Sequence, residues 1–137
     1  MSAFILDASY TLTWCFSDRA TANTDATLRR LEAREDHAMV PWVWQLEVGN
    51  GLGKAVTRAK LPLPRALEIW AELMLLPIRH LAIGDIPQLI RLAVKHNLSV
   101  YDACCLQAAL ASQLPLATND KKLKDAAGEN HLVTMTP

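Results

Sequence analysis

The chain has 137 residues, with 14 Lys and Arg against 14 Asp and Glu, 51% hydrophobic content and 6% aromatic content. That length suits a single domain over residues 1–137 with a real core. Zero net charge argues against a protein that grips nucleic acid through a global positive field, although an acidic metal cluster and a basic rim can cancel in the sum. No apolar run reaches the roughly eighteen residues of a membrane span, and the segment Met1-Ser2-Ala3-Phe4-Ile5-Leu6-Asp7 lacks the basic start of a signal peptide. Cys15, Cys104 and Cys105 sit in apolar segments and read as reduced core cysteines of a cytoplasmic protein. The scattered His37, His80, His96 and His131, without any C-x-x-C, argue against zinc.

In chain order, residues 3–6 form a continuous apolar run, the pattern of a buried parallel strand. Asp7-Ala8-Ser9 then turns into a helix over residues 9–16. Asp7 reads equally well as a helix cap or as a ligand, and Ser9 as a cap or as a support for the Asp7 carboxylate or a metal-bound water. A charged helix is expected over 24–35 with Leu28 and Leu31 facing inward, then a strand over 37–40 stopped by Pro41. The next helix, over 42–58, has Val43, Leu46, Leu52, Ala55 and Val56 as its apolar positions. Glu47 and Asn50 share a face, and Lys54 lies one turn further along it. The glycines at 49, 51 and 53 each cost a helix about 1 kcal/mol relative to Ala. They suggest close backbone packing or an irregular helix, and they do not make a dinucleotide fingerprint. Ordinary surface exposure is the plain alternative for Glu47.

Pro64 opens a helix to about residue 76, with Leu67, Trp70, Ala71 and Met74 forming a core or dimer face. A strand over 78–83 follows. Asp85 is the expected N-cap of a helix over 86–96, with Ile86, Leu89, Ile90, Ala93 and Val94 as its buried side and Asn97 beyond its end. An apolar helix over 98–110 carries Asp102 in its first turn, where Ser99 and Asp102 fit a capping box. A short strand over 116–118 ends in Asn119-Asp120, and a short helix runs to about 127 with Gly128 closing it. Asp120 serves there as a helix-start acid or as a ligand. A last strand covers 132–135. Strands alternating with helices give an α/β domain with a mainly parallel central sheet.

Asp7 and Asp120 each follow a strand directly and so belong at the carboxyl edge of such a sheet, where ligand crevices form. Asp102, at a helix start just before the late strand, and Glu47, on the second crossover helix, are expected to reach the same crevice. Carboxylates sharing one crevice repel each other, and a hard divalent cation such as Mg²⁺ relieves that repulsion. Such a cluster suits phosphodiester hydrolysis. Lys54, Arg58, Lys60, Lys121 and Lys122 are candidate phosphate contacts, with a solvated surface as the plain alternative for each.

Four pieces in this order, Phe4-Ile5-Leu6-Asp7-Ala8-Ser9, Leu46-Glu47-Val48-Gly49-Asn50, Leu98-Ser99-Val100-Tyr101-Asp102-Ala103 and Leu116-Ala117-Thr118-Asn119-Asp120-Lys121-Lys122-Leu123, resemble PIN-domain ribonucleases. The resemblance is to the VapC-type toxins of toxin–antitoxin pairs and spans nearly the whole chain. It implies a PIN-like three-layer α/β/α sandwich and an endoribonuclease dependent on Mg²⁺ or Mn²⁺. Asp7, Glu47, Asp102 and Asp120 then correspond to the catalytic acids, with Asp7, Asp102 and Asp120 holding metal. Ser9, Asn50 and Thr118 correspond to polar supports, and Lys54, Arg58 and Lys121 are the substrate contacts chosen on this side. A homodimer, an RNA substrate and a cognate antitoxin are the implied partners, with no membrane. Trp14, Trp42, Trp44 and Trp70 would serve the core first and partners second. Two other readings remain: a non-catalytic PIN-like module that binds RNA or protein, and a phosphatase of the haloacid-dehalogenase kind. The second would want D-x-D after the first strand, where position 9 is Ser.

Overall fold

The computed structural model describes residues 2–136. Five strands, β1 (Ser2–Leu6), β2 (Asp36–Pro41), β3 (Ile78–Leu81), β4 (Leu116–Ala117) and β5 (Thr134–Met135), form one sheet in the order β3-β2-β1-β4-β5. Every pairing is parallel. The helices are α1 (Ala8–Cys15), α2 (Ala22–Glu32), α3 (Val43–Ala59), α4 (Leu63–Leu73), α5 (Ile86–His96), α6 (Val100–Ser112) and α7 (Lys121–Glu129), with a 3-10 turn at Ser17–Arg19 after α1.

The period-2 alternation of the strands separates two cores. Phe4, Leu6, Ala38, Val40 and Ala117 face one side, where Tyr10, Leu31, Trp44, Val48 and Ile69 of α1 to α4 cover them. Ile5 and Leu116 face the other, against Leu89, Leu106, Ala109 and Leu123 of α5 to α7. Because both faces are covered at the centre of the sheet, Phe4-Ile5-Leu6 of β1 and Leu116-Ala117 of β4 are unbroken apolar runs, whereas edge strand β3 carries Arg79 and His80. The result is the three-layer α/β/α sandwich.

The chain first builds outward from β1 to β2 and β3, then returns through α5 and α6 to lay β4 on the opposite side of β1. The reversal falls between β1 and β4. At such a switch point the connections leave in opposite directions and open a crevice at the carboxyl ends of the strands. Asp7 follows β1 there, and Thr118-Asn119-Asp120 follows β4.

Several local expectations shift. α3 is one continuous helix despite its glycines; at Gly51 a Cβ would lie 2.7 Å from a Leu12 methyl, so α1 packs there through a side chain, while Gly49 and Gly53 face open space. Leu46 is 61% exposed, and the buried face of α3 runs through Trp44, Val48 and Leu52. In α4 the buried residues are Ala66, Ile69 and Leu73, leaving Leu67 and Met74 exposed. In α5 Leu89, Leu92 and Ala93 are buried, whereas Ile86, Ile90 and Val94 face out. Both helices carry more apolar residues than the sheet can cover, so hydrophobicity alone does not choose the buried face. Asp85 occupies the N-cap position of α5, but its carboxylate makes no capping bond. Asn97 closes that helix in the left-handed region at φ 52°. Gly128 lies inside α7, whose C-cap is Asn130.

Candidate active site

Asp7 occupies the first position after β1 and is only 3% exposed. It stands at the N-cap position of α1, yet its side chain caps nothing. Its carboxylate instead accepts hydrogen bonds from the Ser9 hydroxyl, from Thr118 Oγ1 at 2.8 Å and from Cys105 Sγ at 3.7 Å. A second layer fixes these donors. The Asn119 amide donates to Ser9 Oγ at 2.9 Å, and the Asp120 amide donates to Thr118 Oγ1 at 3.0 Å. The turn after β1 is thereby tied to the turn after β4, and the backbone bond from Asp7 N to Ala117 O at 2.9 Å completes the junction. Buried polar groups with this many partners are held in one orientation.

Asp120 caps α7, accepting from Leu123 N at 3.0 Å, so its helix-start role is real and leaves the carboxylate half-exposed toward the crevice. Ser99 caps α6 by accepting from Asp102 N at 3.0 Å. Burial pushes the Asp102 carboxyl above its usual range, and Asp7 and Asp120 push the same way; Ser99 and Lys122 pull it down. Glu47 is half-buried on α3. Its pKa is pushed up to about 7, first by burial and then by the charges of Asp7, Asp102 and Asp120. The four acids chosen from the sequence therefore feel one another across a single crevice.

Asp36 provides the contrast. It is as buried as a core residue, yet Arg30 donates to it at 2.7 and 3.0 Å and holds its carboxyl below the usual range. That acid is neutralised by its own protein. None of the four crevice acids has an ion pair among the described residues. Repelling oxygen donors without an ion-pair partner are the donor type that a hard divalent metal takes. Among the described residues no three His, Cys, Asp or Glu side chains are grouped closely enough to hold a metal ion by themselves.

The remaining sequence candidates divide. Ser9 and Thr118 meet at Asp7, with their hydroxyls 3.2 Å apart. Asn50, Lys54 and Arg58 line a groove that begins at Glu47. Lys121 forms an exposed pair with Asp125 at 3.0 Å on α7, and its neighbour Lys122 lowers the Asp102 pKa. Cys105 was not singled out as a site residue. Its position three after Asp102 on α6 is the signal that puts it on the same face.

The raised Glu47 pKa has a measurable consequence in chelator. Its folded value, about 7, exceeds the ordinary 4.5. The folded state therefore holds its proton more tightly, and that contribution to stability is whole below about pH 4.5 and gone above about pH 7. In EDTA the melting temperature of the wild type should fall across this window more steeply than that of Glu47→Gln. Parallel curves from thermal melts would count against the crowded-carboxylate geometry.

The PIN domain profile matches residues 4–129. Among solved structures, a protein of Pyrobaculum aerophilum superposes with a TM-score of 0.77 at 19% identity, covering 98% of this chain and 84% of that one. The VapBC2 complex of Rickettsia felis, bound to a DNA fragment from its promoter, gives 0.66 at 13% identity with 98% of each chain covered. A toxin–antitoxin complex from Klebsiella pneumoniae gives 0.58 at 21% identity with 96% of each covered. No curated protein matches the chain. At these identities the structural likeness is one of fold, and the profile match over most of the sequence is what assigns the family: the chain belongs to the PIN-domain family.

Proposed function

We propose that this protein is a VapC-type toxin, an endoribonuclease dependent on Mg²⁺ or Mn²⁺ and neutralised by a cognate antitoxin in the cytoplasm. The observation that supports the reading is the mutual repulsion of Asp7, Glu47, Asp102 and Asp120, none of which forms an ion pair among the described residues. Two of the structural relatives are toxin–antitoxin assemblies, which supports the toxin assignment over a housekeeping nuclease. Among the described residues no helix is long and apolar enough to cross a membrane.

Asp7, Asp102 and Asp120 would hold the ion. When bound, the ion supplies positive charge that offsets the carboxylates and stabilises charge developing on the phosphate oxygens. The chain does the rest by positioning. Ser9, Thr118 and Cys105 fix the Asp7 carboxylate. Ser99 and the apolar body of α6 aim Asp102. Glu47, half-buried on α3 beside these acids, would orient the attacking water.

The test is cleavage of a labelled RNA with Mg²⁺ and with EDTA. Cleavage that persists in chelator would sink the metal mechanism, and RNA binding without cleavage would favour the binding-module reading. Co-expression with the protein encoded alongside it should relieve growth arrest.

The homodimer has a candidate surface. Trp42, Leu46, Ile83, Ile86, Val100 and Tyr101 are all exposed and surround one apolar groove of about 560 Å³. Apolar patches of this kind mark protein contacts, and a two-fold contact would bury the same patch on both copies. Leu46→Glu combined with Ile86→Glu should convert a dimer to a monomer by light scattering. An unchanged mass would remove this surface from consideration.

A further inference from the structure

The three cysteines of the chain all sit in helices, and two of them bond in the same way. Cys15 Sγ donates to Thr11 O at 3.6 Å and Cys104 Sγ donates to Val100 O at 3.4 Å, in each case the carbonyl four residues back. The helical hydroxyls of Thr11, Thr57 and Ser112 do likewise, donating to Asp7 O, Gly53 O and Ala108 O. Such back-bonding is the ordinary local outlet for a small donor in a helix. Cys105 departs from it. Its thiol leaves α6 and donates to Asp7 Oδ1 at 3.7 Å, across 98 residues of sequence. Cys105 is 2% exposed and belongs to the core cluster of Ile5, Leu106 and Leu116, so it meets the carboxylate from the protein interior.

The two oxygens of Asp7 are not equivalent. Oδ2 accepts from the Ser9 hydroxyl and from Thr118 Oγ1 at 2.8 Å. Oδ1 has the thiol as its one donor among the described residues. An ionised carboxylate offers about four acceptor positions, and a thiol is a weak donor. Oδ1 therefore keeps most of its acceptor capacity although the residue is buried. Asp36, the other buried acid, is different: its Oδ1 accepts from Arg30 Nη2 and the Ser2 amide, and its Oδ2 accepts from Arg30 Nε. In Asp7 one oxygen is anchored and the other is held back.

We infer that Cys105 is a positioning residue: it holds the Asp7 carboxylate from the core side through a bond weak enough to leave Oδ1 as the oxygen presented to the divalent ion. The inference rests on the metal-dependent reading. Core filling is the competing role for the thiol. The geometry favours positioning, because a filler has no reason to forgo the Tyr101 carbonyl four residues back.

The test reads the thiol directly, by infrared spectroscopy of the S–H stretch in the full-length protein, and reads ion binding by calorimetric titration with Mn²⁺. Cys105→Ala should remove one of three S–H bands. Asp7→Asn should shift that band and leave the Cys15 and Cys104 bands in place. Mg²⁺ should shift it in the wild type and not in Asp7→Asn, since an ion on Oδ1 draws electron density from the acceptor of the thiol. Cys105→Ala should weaken Mn²⁺ binding about tenfold, the low end for losing a group that orients a metal ligand. Cys105→Ser should weaken it as much, because the hydroxyl, on its shorter bond, falls back on the Tyr101 carbonyl. A filler would give the opposite pattern, a lower melting temperature in EDTA with Mn²⁺ affinity unchanged, and that result overturns the inference. So does a band that Asp7→Asn or Mg²⁺ leaves in place. If the alanine variant does not fold, the wild-type and Asp7→Asn spectra still decide. Wild type without measurable Mn²⁺ binding rejects the metal reading and the inference with it. Wild type that binds Mn²⁺ no more tightly than Cys105→Ser rejects the inference alone.

Discussion

Asp7→Asn should lower RNA cleavage in Mg²⁺ by at least about a hundredfold while leaving the fold intact. The carboxylate is buried and accepts from Ser9 and Thr118 through one oxygen and from Cys105 through the other. An asparagine fits this cradle with its amide oxygen toward the two hydroxyls, which places its amide nitrogen against the Cys105 sulfur, a weak acceptor. The shape and most of the hydrogen bonding survive. What disappears is one negative charge from a crevice where Glu47 and Asp102 already carry raised pKa values. Removing that charge relieves repulsion in the metal-free protein, so its melting temperature in EDTA should hold or rise. Activity and stability thus move apart, which separates a catalytic acid from a structural one. Cleavage within tenfold of wild type, measured on a labelled single strand, would show that Asp7 is not needed for the chemistry.

How much of this was readable beforehand depends on the kind of interaction. Phe4-Ile5-Leu6 read as a doubly buried strand because each residue meets a helix layer, and both layers are there. Asp7 and Asp120 read as carboxyl-edge residues because they follow apolar runs directly, and the reversal between β1 and β4 brings their turns together. The faces of α4 and α5 were not readable. Leu67, Ile90 and Val94 have the same hydrophobicity as Ile69 and Leu89, and only the position of the sheet distinguishes them. The Cys105 thiol looked like core filling, since its partner is 98 residues away. The Arg30–Asp36 pair is not legible in the sequence, because its worth depends on the burial of Asp36, which sequence spacing does not reveal. Local periodicity was legible, whereas long-range polar contacts and the choice between two apolar faces required the assembled sheet.

Trp44→Ala should cost about 3–5 kcal/mol of stability, a large share of the roughly 5–15 kcal/mol that holds a domain together. The side chain is fully buried, with its ring 6.0 Å from Trp70 and 5.7 Å from His80. Its indole N–H donates to Thr11 Oγ1 at 2.9 Å, and the Thr11 hydroxyl donates onward to the Asp7 backbone carbonyl at 3.1 Å. This buried relay joins α3, which carries Glu47 three residues later, to the turn that carries Asp7. Truncation to alanine opens a cavity and removes the relay together, so denaturant midpoint and cleavage rate should both drop. Trp44→Phe separates the two. The phenyl ring fills most of the space, Thr11 keeps its donor bond to Asp7, and the loss of one neutral hydrogen bond should cost about 1 kcal/mol. If the Phe variant is as unstable as the Ala variant, the relay rather than the packing holds α3 in place. If the Ala variant loses less than about 1 kcal/mol, a value typical of surface sites, Trp44 does not pin the helix that presents Glu47.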